Sequence, residues 1–104
     1  MFARHVSIHL KSNMLSDYAR TFENDTLPLL RQQKGFKDEI TLSNPGSLDV
    51  IAISLWDSKA NAEAYNTNTY PQVLRTFERM IDGTPKVQTF EAVTSTFHKL
   101  AVAA

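Results

Sequence analysis

The sequence predicts an α+β domain built on one antiparallel sheet with its helices on one face. Period-two alternation marks four segments along the chain, and two helical stretches separate them in the order strand, helix, strand, strand, helix, strand. A dense turn signal, Asn44-Pro45-Gly46-Ser47, joins the middle pair as a hairpin.

The first segment, Phe2 to Leu10, puts Arg4, Val6, Ile8 and Leu10 on one side and Ala3, His5, Ser7 and His9 on the other. Ser12 or Asn13 is expected to cap a helix in which Leu15, Tyr18, Phe22 and Leu29 recur at helical spacing. Pro28 falls inside that pattern and predicts a kink or a helix in two pieces, and Gly35 terminates it. Phe36 to Ser43 and Leu48 to Trp56 form the hairpin strands. Asp57 or Ser58 caps a short helix, Lys59 to Tyr65, which the polar stretch Asn66 to Thr69 breaks. Pro71 opens the next helix, with Val73, Leu74, Phe77, Met80 and Ile81 as its apolar stripe, and Asp82-Gly83-Thr84-Pro85 stops it. Val87 to Phe97 is expected as the last strand. This βαββαβ order is the split βαβ arrangement of ferredoxin-like folds.

The chain has 104 residues, which fits one domain over residues 1–100 followed by an Ala-rich tail at 101–104. Eleven basic residues balance eleven acidic ones, so the cationic surplus of a nucleic-acid binder is missing. Absence of cysteine excludes disulfides, thiolate zinc sites and cysteine nucleophiles. No apolar run approaches the roughly 20 residues of a membrane span. Arg4, His5 and His9 interrupt any secretory pattern, so a soluble cytoplasmic protein is expected, with no membrane partner. The strand Val50-Ile51-Ala52-Ile53-Ser54-Leu55-Trp56 is apolar on both faces, while helices cover only one. Val93 and Phe97 oppose Phe90 and Ala92, so the last strand is expected to be mixed as well. A second copy is the economical cover for the free face, which predicts a homodimer through the sheets.

The candidates for chemistry are few. Trp56, the single tryptophan, reads either as a core or interface anchor or as a wall against a planar ligand. Tyr65 and Tyr70 bracket the polar break and read as a pocket rim or as ring packing on the sheet. His5 and His9 stand four residues apart, about 13 Å along a strand, so they cannot share one metal ion. His98 on the last strand is expected near Phe2 to His5, which makes a His5–His98 pair conceivable. His9, as an imidazole, is the candidate for a general base acting on a phenol. Arg4, on an apolar face, either anchors an acidic group or snorkels at the strand end. No glycine-rich phosphate loop or nucleophile elbow is present, and no metal site is expected.

Leu55-Trp56-Asp57-Ser58-Lys59-Ala60, at the end of an apolar strand and opening a helix, resembles the tryptophan–serine–alanine signature of the antibiotic-biosynthesis-monooxygenase-like (ABM) family. Thr26-Leu27-Pro28-Leu29-Leu30 followed by Lys34-Gly35-Phe36 looks like that family's first helix running into its second strand, and Thr94-Ser95-Thr96-Phe97 fits the end of its last strand. The resemblance covers about Phe2 to Leu100. It implies a dimeric α+β barrel with a pocket between sheet and helices in each subunit. For function it implies a cofactor-independent monooxygenase acting on a small aromatic or quinol substrate. The family's matching tryptophan lines the pocket, which implies that role for Trp56; Tyr65, Tyr70 and His5 are expected to contact the substrate from their own places in the chain, with His9 as the base and no cofactor. Haem-degrading relatives use an asparagine on the first strand and a histidine on the second helix. This chain has neither. The alternative is a dimeric module of the same fold that binds a small ligand without catalysis. A further possibility is a structural protein whose cleft its own side chains fill.

Overall fold

A computed structural model describes residues 1–100. The expected tail at 101–104 lies outside the described residues. Four strands, β1 (Phe2–His9), β2 (Phe36–Ser43), β3 (Asp49–Trp56) and β4 (Lys86–Glu91), form one antiparallel sheet in the order β2-β3-β1-β4. The helices are α1 (Leu15–Thr21), α2 (Leu27–Arg31), α3 (Lys59–Asn68) and α4 (Tyr70–Phe77). The expected α+β sheet topology is therefore the one observed, and none of these helices is long and apolar enough to cross a membrane.

Register divides the sheet into two faces. Arg4, Val6 and Ile8 of β1 stand opposite Ser54, Ala52 and Val50 of β3, and this face carries the buried core beneath the helices. Tyr18, Phe22 and Phe77 interlock above it, the Tyr18 and Phe77 rings 4.8 Å apart. The other face presents His5, Ser7 and His9 beside Ile53, Ile51 and Asp49. There Ile40, Leu42 and Phe90 remain about half exposed, at 54%, 46% and 51%.

Pro28 does divide the first helical stretch, since it sits in the first turn of α2 and a π-helical turn, Phe22–Thr26, joins the two pieces. The expected cap at Ser12 or Asn13 is not formed. Met14 precedes α1 without a side-chain capping bond, because Asn13 takes a left-handed turn at φ 63°. Ser58 caps α3 as expected, accepting from the Asn61 amide at 3.2 Å. The polar stretch Asn66 to Thr69 is not a break of several residues. The helix continues through Asn68, and Thr69 alone separates α3 from α4.

The last strand is shorter than its alternation suggested, ending at Glu91 rather than Phe97. Glu91 pairs with Phe2, and the Ala92 amide bonds to the Met1 carbonyl, where the ladder between β1 and β4 ends. Residues 92–100 turn instead toward β2, where His98 Nε2 meets Asp38 Oδ2. Thr94, Ser95 and Phe97 face Ile40, Ile53 and Leu55 across a gap of about 440 Å³. The proposed approach of His98 to His5 does not occur, and Val93 and Phe97 are exposed outside any strand.

Candidate functional site

Between the sheet and the helices lies an apolar cavity of about 50 Å³, large enough for a few waters. Val6, Ile8, Phe22, Leu30, Val73 and Phe77 supply its apolar wall. Arg4, Glu39, Ser54, Tyr18, Tyr65 and Tyr70 supply its polar groups. Each arrives for a local reason. Arg4 occupies an inward position of β1. Glu39 faces inward because a register irregularity between Phe36 and Asp38 resets the alternation of β2. Tyr65 and Tyr70 come from the end of α3 and the start of α4, so the sharp junction at Thr69 brings their rings to 6.1 Å.

Arg4 is 3% exposed, and its Nη2 donates to Asn66 Oδ1 at 2.9 Å. Its guanidinium carbon stands 4.9 Å from the Tyr65 ring centre and 4.4 Å from that of Tyr70. Among the described residues no carboxylate forms an ion pair with it. Burial lowers its pKa from the ordinary arginine value, and the neighbouring tyrosine oxygens oppose that shift. The Tyr65 hydroxyl is pushed up to about 12, chiefly by burial, with the Arg4 charge working against the rise. Burial also raises Tyr18 and Tyr70. The Tyr70 hydroxyl is buried and has no hydrogen-bond partner of acceptable geometry.

Glu39 accepts a bond from the Thr41 hydroxyl at 2.6 Å. Burial raises its carboxyl above the usual glutamate range, and the Thr41 bond offsets only part of that. An acid held partly from water in an apolar cavity is the kind of group that exchanges protons with a bound ligand.

Of the residues singled out from sequence, Tyr65 and Tyr70 line this cavity. Trp56 stands one layer behind it. It is fully buried, packed edge-on to Phe36 at 5.6 Å and tilted over Tyr65 at 5.0 Å, and its indole N–H donates to Ser54 Oγ at 2.9 Å. His5 and His9 belong to the opposite face of the sheet. The His5 ring stands edge-on to Phe90, its Nδ1 buried without a partner. His9 is exposed and pairs with Asp49 at 2.8 Å, a bond that lowers the Asp49 carboxyl. The sheet therefore separates the histidines from the tyrosines. Sequence reasoning passed over Glu39, which follows Lys37 and Asp38 on an alternating strand and reads there as one more polar residue of the outer side. Arg4 carried a clearer signal, a charge in step with Val6 and Ile8.

No protein-family model matches the chain, and no curated protein matches it by sequence. Solved structures do match in fold. A protein of unknown function from Nitrosomonas europaea, NE2512, superposes with TM-score 0.76 at 16% identity, over 94% of this chain and 94% of its own. A candidate antibiotic biosynthesis monooxygenase from Bordetella bronchiseptica gives TM-score 0.76 at 11% identity, covering 89% of this chain and 97% of that one. SnoaB, a cofactor-independent oxygenase from Streptomyces nogalater, gives 0.74 at 13% identity, over 93% and 97%. The fold is that of the antibiotic biosynthesis monooxygenase structures, as the sequence resemblance implied.

Proposed function

We propose that the chain is a monooxygenase-like enzyme that oxidises a small aromatic or quinol substrate in the cavity between sheet and helices, without a resident cofactor. The observation that carries this reading is the convergence on one apolar cavity of a carboxyl, a buried guanidinium and three tyrosine rings. The fold of SnoaB, a cofactor-independent oxygenase, supports it.

In this reading Glu39, rather than His9, is the base, because it lines the cavity while His9 lies on the far face of the sheet. Glu39 removes a proton from an activated carbon of the phenolic substrate. The negative charge spreads onto the substrate oxygen, beside the Arg4 guanidinium. Tyr65 and Tyr70 hold the ring, and Trp56 stiffens Tyr65 from behind. The electron-rich carbanion reacts with dioxygen. One oxygen atom replaces two hydrogens of a methylene to give a carbonyl, and the other leaves with those hydrogens as water. A second copy closing the apolar sheet face completes the active particle as a homodimer.

Oxygen uptake with a panel of hydroquinones and anthrone-like phenols tests the reaction. Saturable uptake in the native chain that falls in Glu39→Gln is the expected result. Uptake no faster than the spontaneous rate across the panel overturns the enzyme reading in favour of the ligand-binding module.

A further inference from the structure

Arg4 has a counterion problem. An arginine buried to 3% exposure normally has a carboxylate opposite its guanidinium, because an unpaired buried charge is strongly destabilising. Here its neighbours are an amide oxygen and two aromatic faces. Cation–π contact and one hydrogen bond recover part of that cost and leave most of the fork of N–H donors unused. Those donors are not entombed. Among the described residues the only fully buried side-chain polar atoms without partners are His5 Nδ1 and the Tyr70 hydroxyl, so the spare Arg4 nitrogens open onto free space. Arg4 lines that space on two sides. One is the apolar cavity, and the other is a groove of about 400 Å³ bordered by Phe2, Ala62, Asn66, Val87 and Thr89.

Nearby acids do not fill the vacancy. Glu39 borders the same cavity yet forms no ion pair with Arg4 and is pushed toward its neutral form. Glu63, on the groove, is 3.8 Å from Lys59. The Tyr70 hydroxyl is buried beside the guanidinium, which it can meet only as an acceptor, so its own proton is a free donor that an incoming oxygen atom would satisfy.

We propose that Arg4, with the Tyr70 hydroxyl, is an anion receptor, and that the ligand of this site is a planar aromatic molecule bearing an oxyanion, either a carboxylate or an ionised phenol. This deepens the proposed function and rests on its placing of the ligand between sheet and helices. The cavity as it stands is smaller than an ordinary ligand pocket of roughly 300 Å³ or more, so the ring enters by widening it toward the adjoining groove of about 400 Å³, with Tyr70 left in place. The charge is what holds it there.

The test compares 2-naphthoate with its neutral isostere 2-naphthamide by calorimetry on the full chain under nitrogen. Neither probe has an oxidisable centre, so the result is independent of whether the protein activates oxygen. The naphthoate is expected to bind tighter by about tenfold or more, the worth of one charge-assisted contact. Arg4→Gln erases the preference, and Tyr70→Phe reduces it. Titrating 2-naphthol from neutral to alkaline pH distinguishes the two oxyanion sources, because tightening as the phenol ionises identifies the phenolate. Should Arg4→Gln not fold, the Arg4 Nε–H resonance of the native chain gives the same answer. It shifts with naphthoate and not with naphthamide. Equal affinity for the two probes, a preference that survives in Arg4→Gln, or no binding of either at millimolar concentration overturns the proposal.

Discussion

The indole of Trp56 lies 5.0 Å from the ring of Tyr65 at an interplanar angle of 31°, and only the tyrosine of the pair borders the cavity. The tryptophan is thereby a support for the wall. It is clamped from one side by Phe36 and tied by its N–H to Ser54.

Trp56→Ala should act first on stability. Emptying a fully buried indole site costs about 3–5 kcal/mol, and Trp56→Phe, which leaves the buried Ser54 hydroxyl without its donor, about 1–3 kcal/mol. Urea denaturation monitored by circular dichroism reads both. Ligand affinity should fall more in Tyr65→Ala than in Trp56→Phe, and the reverse order would return the tryptophan to the wall itself.

Glu39 titrates from a raised position, and the sign of its effects follows. Its folded-state pKa exceeds that of the unfolded chain, near 4.3, so the fold favours the protonated carboxyl. That contribution is complete below the unfolded value and is lost as pH rises through the folded one. Glu39→Gln should therefore melt higher than the native chain at neutral pH and match it more closely in acid. Catalysis moves the other way, because a base must be ionised. Oxygen uptake should climb with pH through a value above the usual glutamate range, and Glu39→Gln should lose about 10²–10⁴-fold of it.

Gly35 joins α2 to β2 at φ +80°, and a Cβ there would come within 2.2 Å of Asp57 Oδ1 and 2.5 Å of Asn61 Nδ2. Those two side chains are bonded to each other at 2.8 Å, and the Gly35 carbonyl accepts from the Asp57 amide, also at 2.8 Å. Gly35→Ala should then destabilise by more than about 1 kcal/mol, through backbone strain together with a broken bond at the start of α3. Gly46→Ala, with the same sign of φ and open space around it, isolates the strain alone and should cost less in the same melting experiment.

The free sheet face carries Ile40, Leu42 and Phe90 about half exposed, with Ile53 and Leu55 between them. Sedimentation equilibrium at micromolar concentration should report twice the chain mass of 11.7 kDa. Replacing Ile40 and Leu42 together by lysine should return the particle to a single chain. A native protein that sediments as one chain would remove the proposed dimer.

Much of the fold was legible because it rests on local regularities. Alternation in Arg4-Val6-Ile8 against His5-Ser7-His9 assigns the two faces of β1, and Pro28 and Ser58 act through backbone geometry within a few residues. The errors occur where a distant backbone decides. Alternation continued to Phe97, but β4 stops at Glu91, where its ladder with β1 ends at Phe2 and the chain turns toward β2. The site divides along the same line. Tyr65 and Tyr70 could be named from the sequence, because five residues and a tight helix junction bring them together. Glu39 could not, since a register irregularity turns it inward against the apparent period of its strand. The lone charge of Arg4 was visible from the start as an oddity on an apolar face. That no carboxylate among the described residues answers it became visible only when Asn66, Tyr65 and Tyr70 were folded around it, because a counterion can come from far along the chain and only the folded arrangement brings it near.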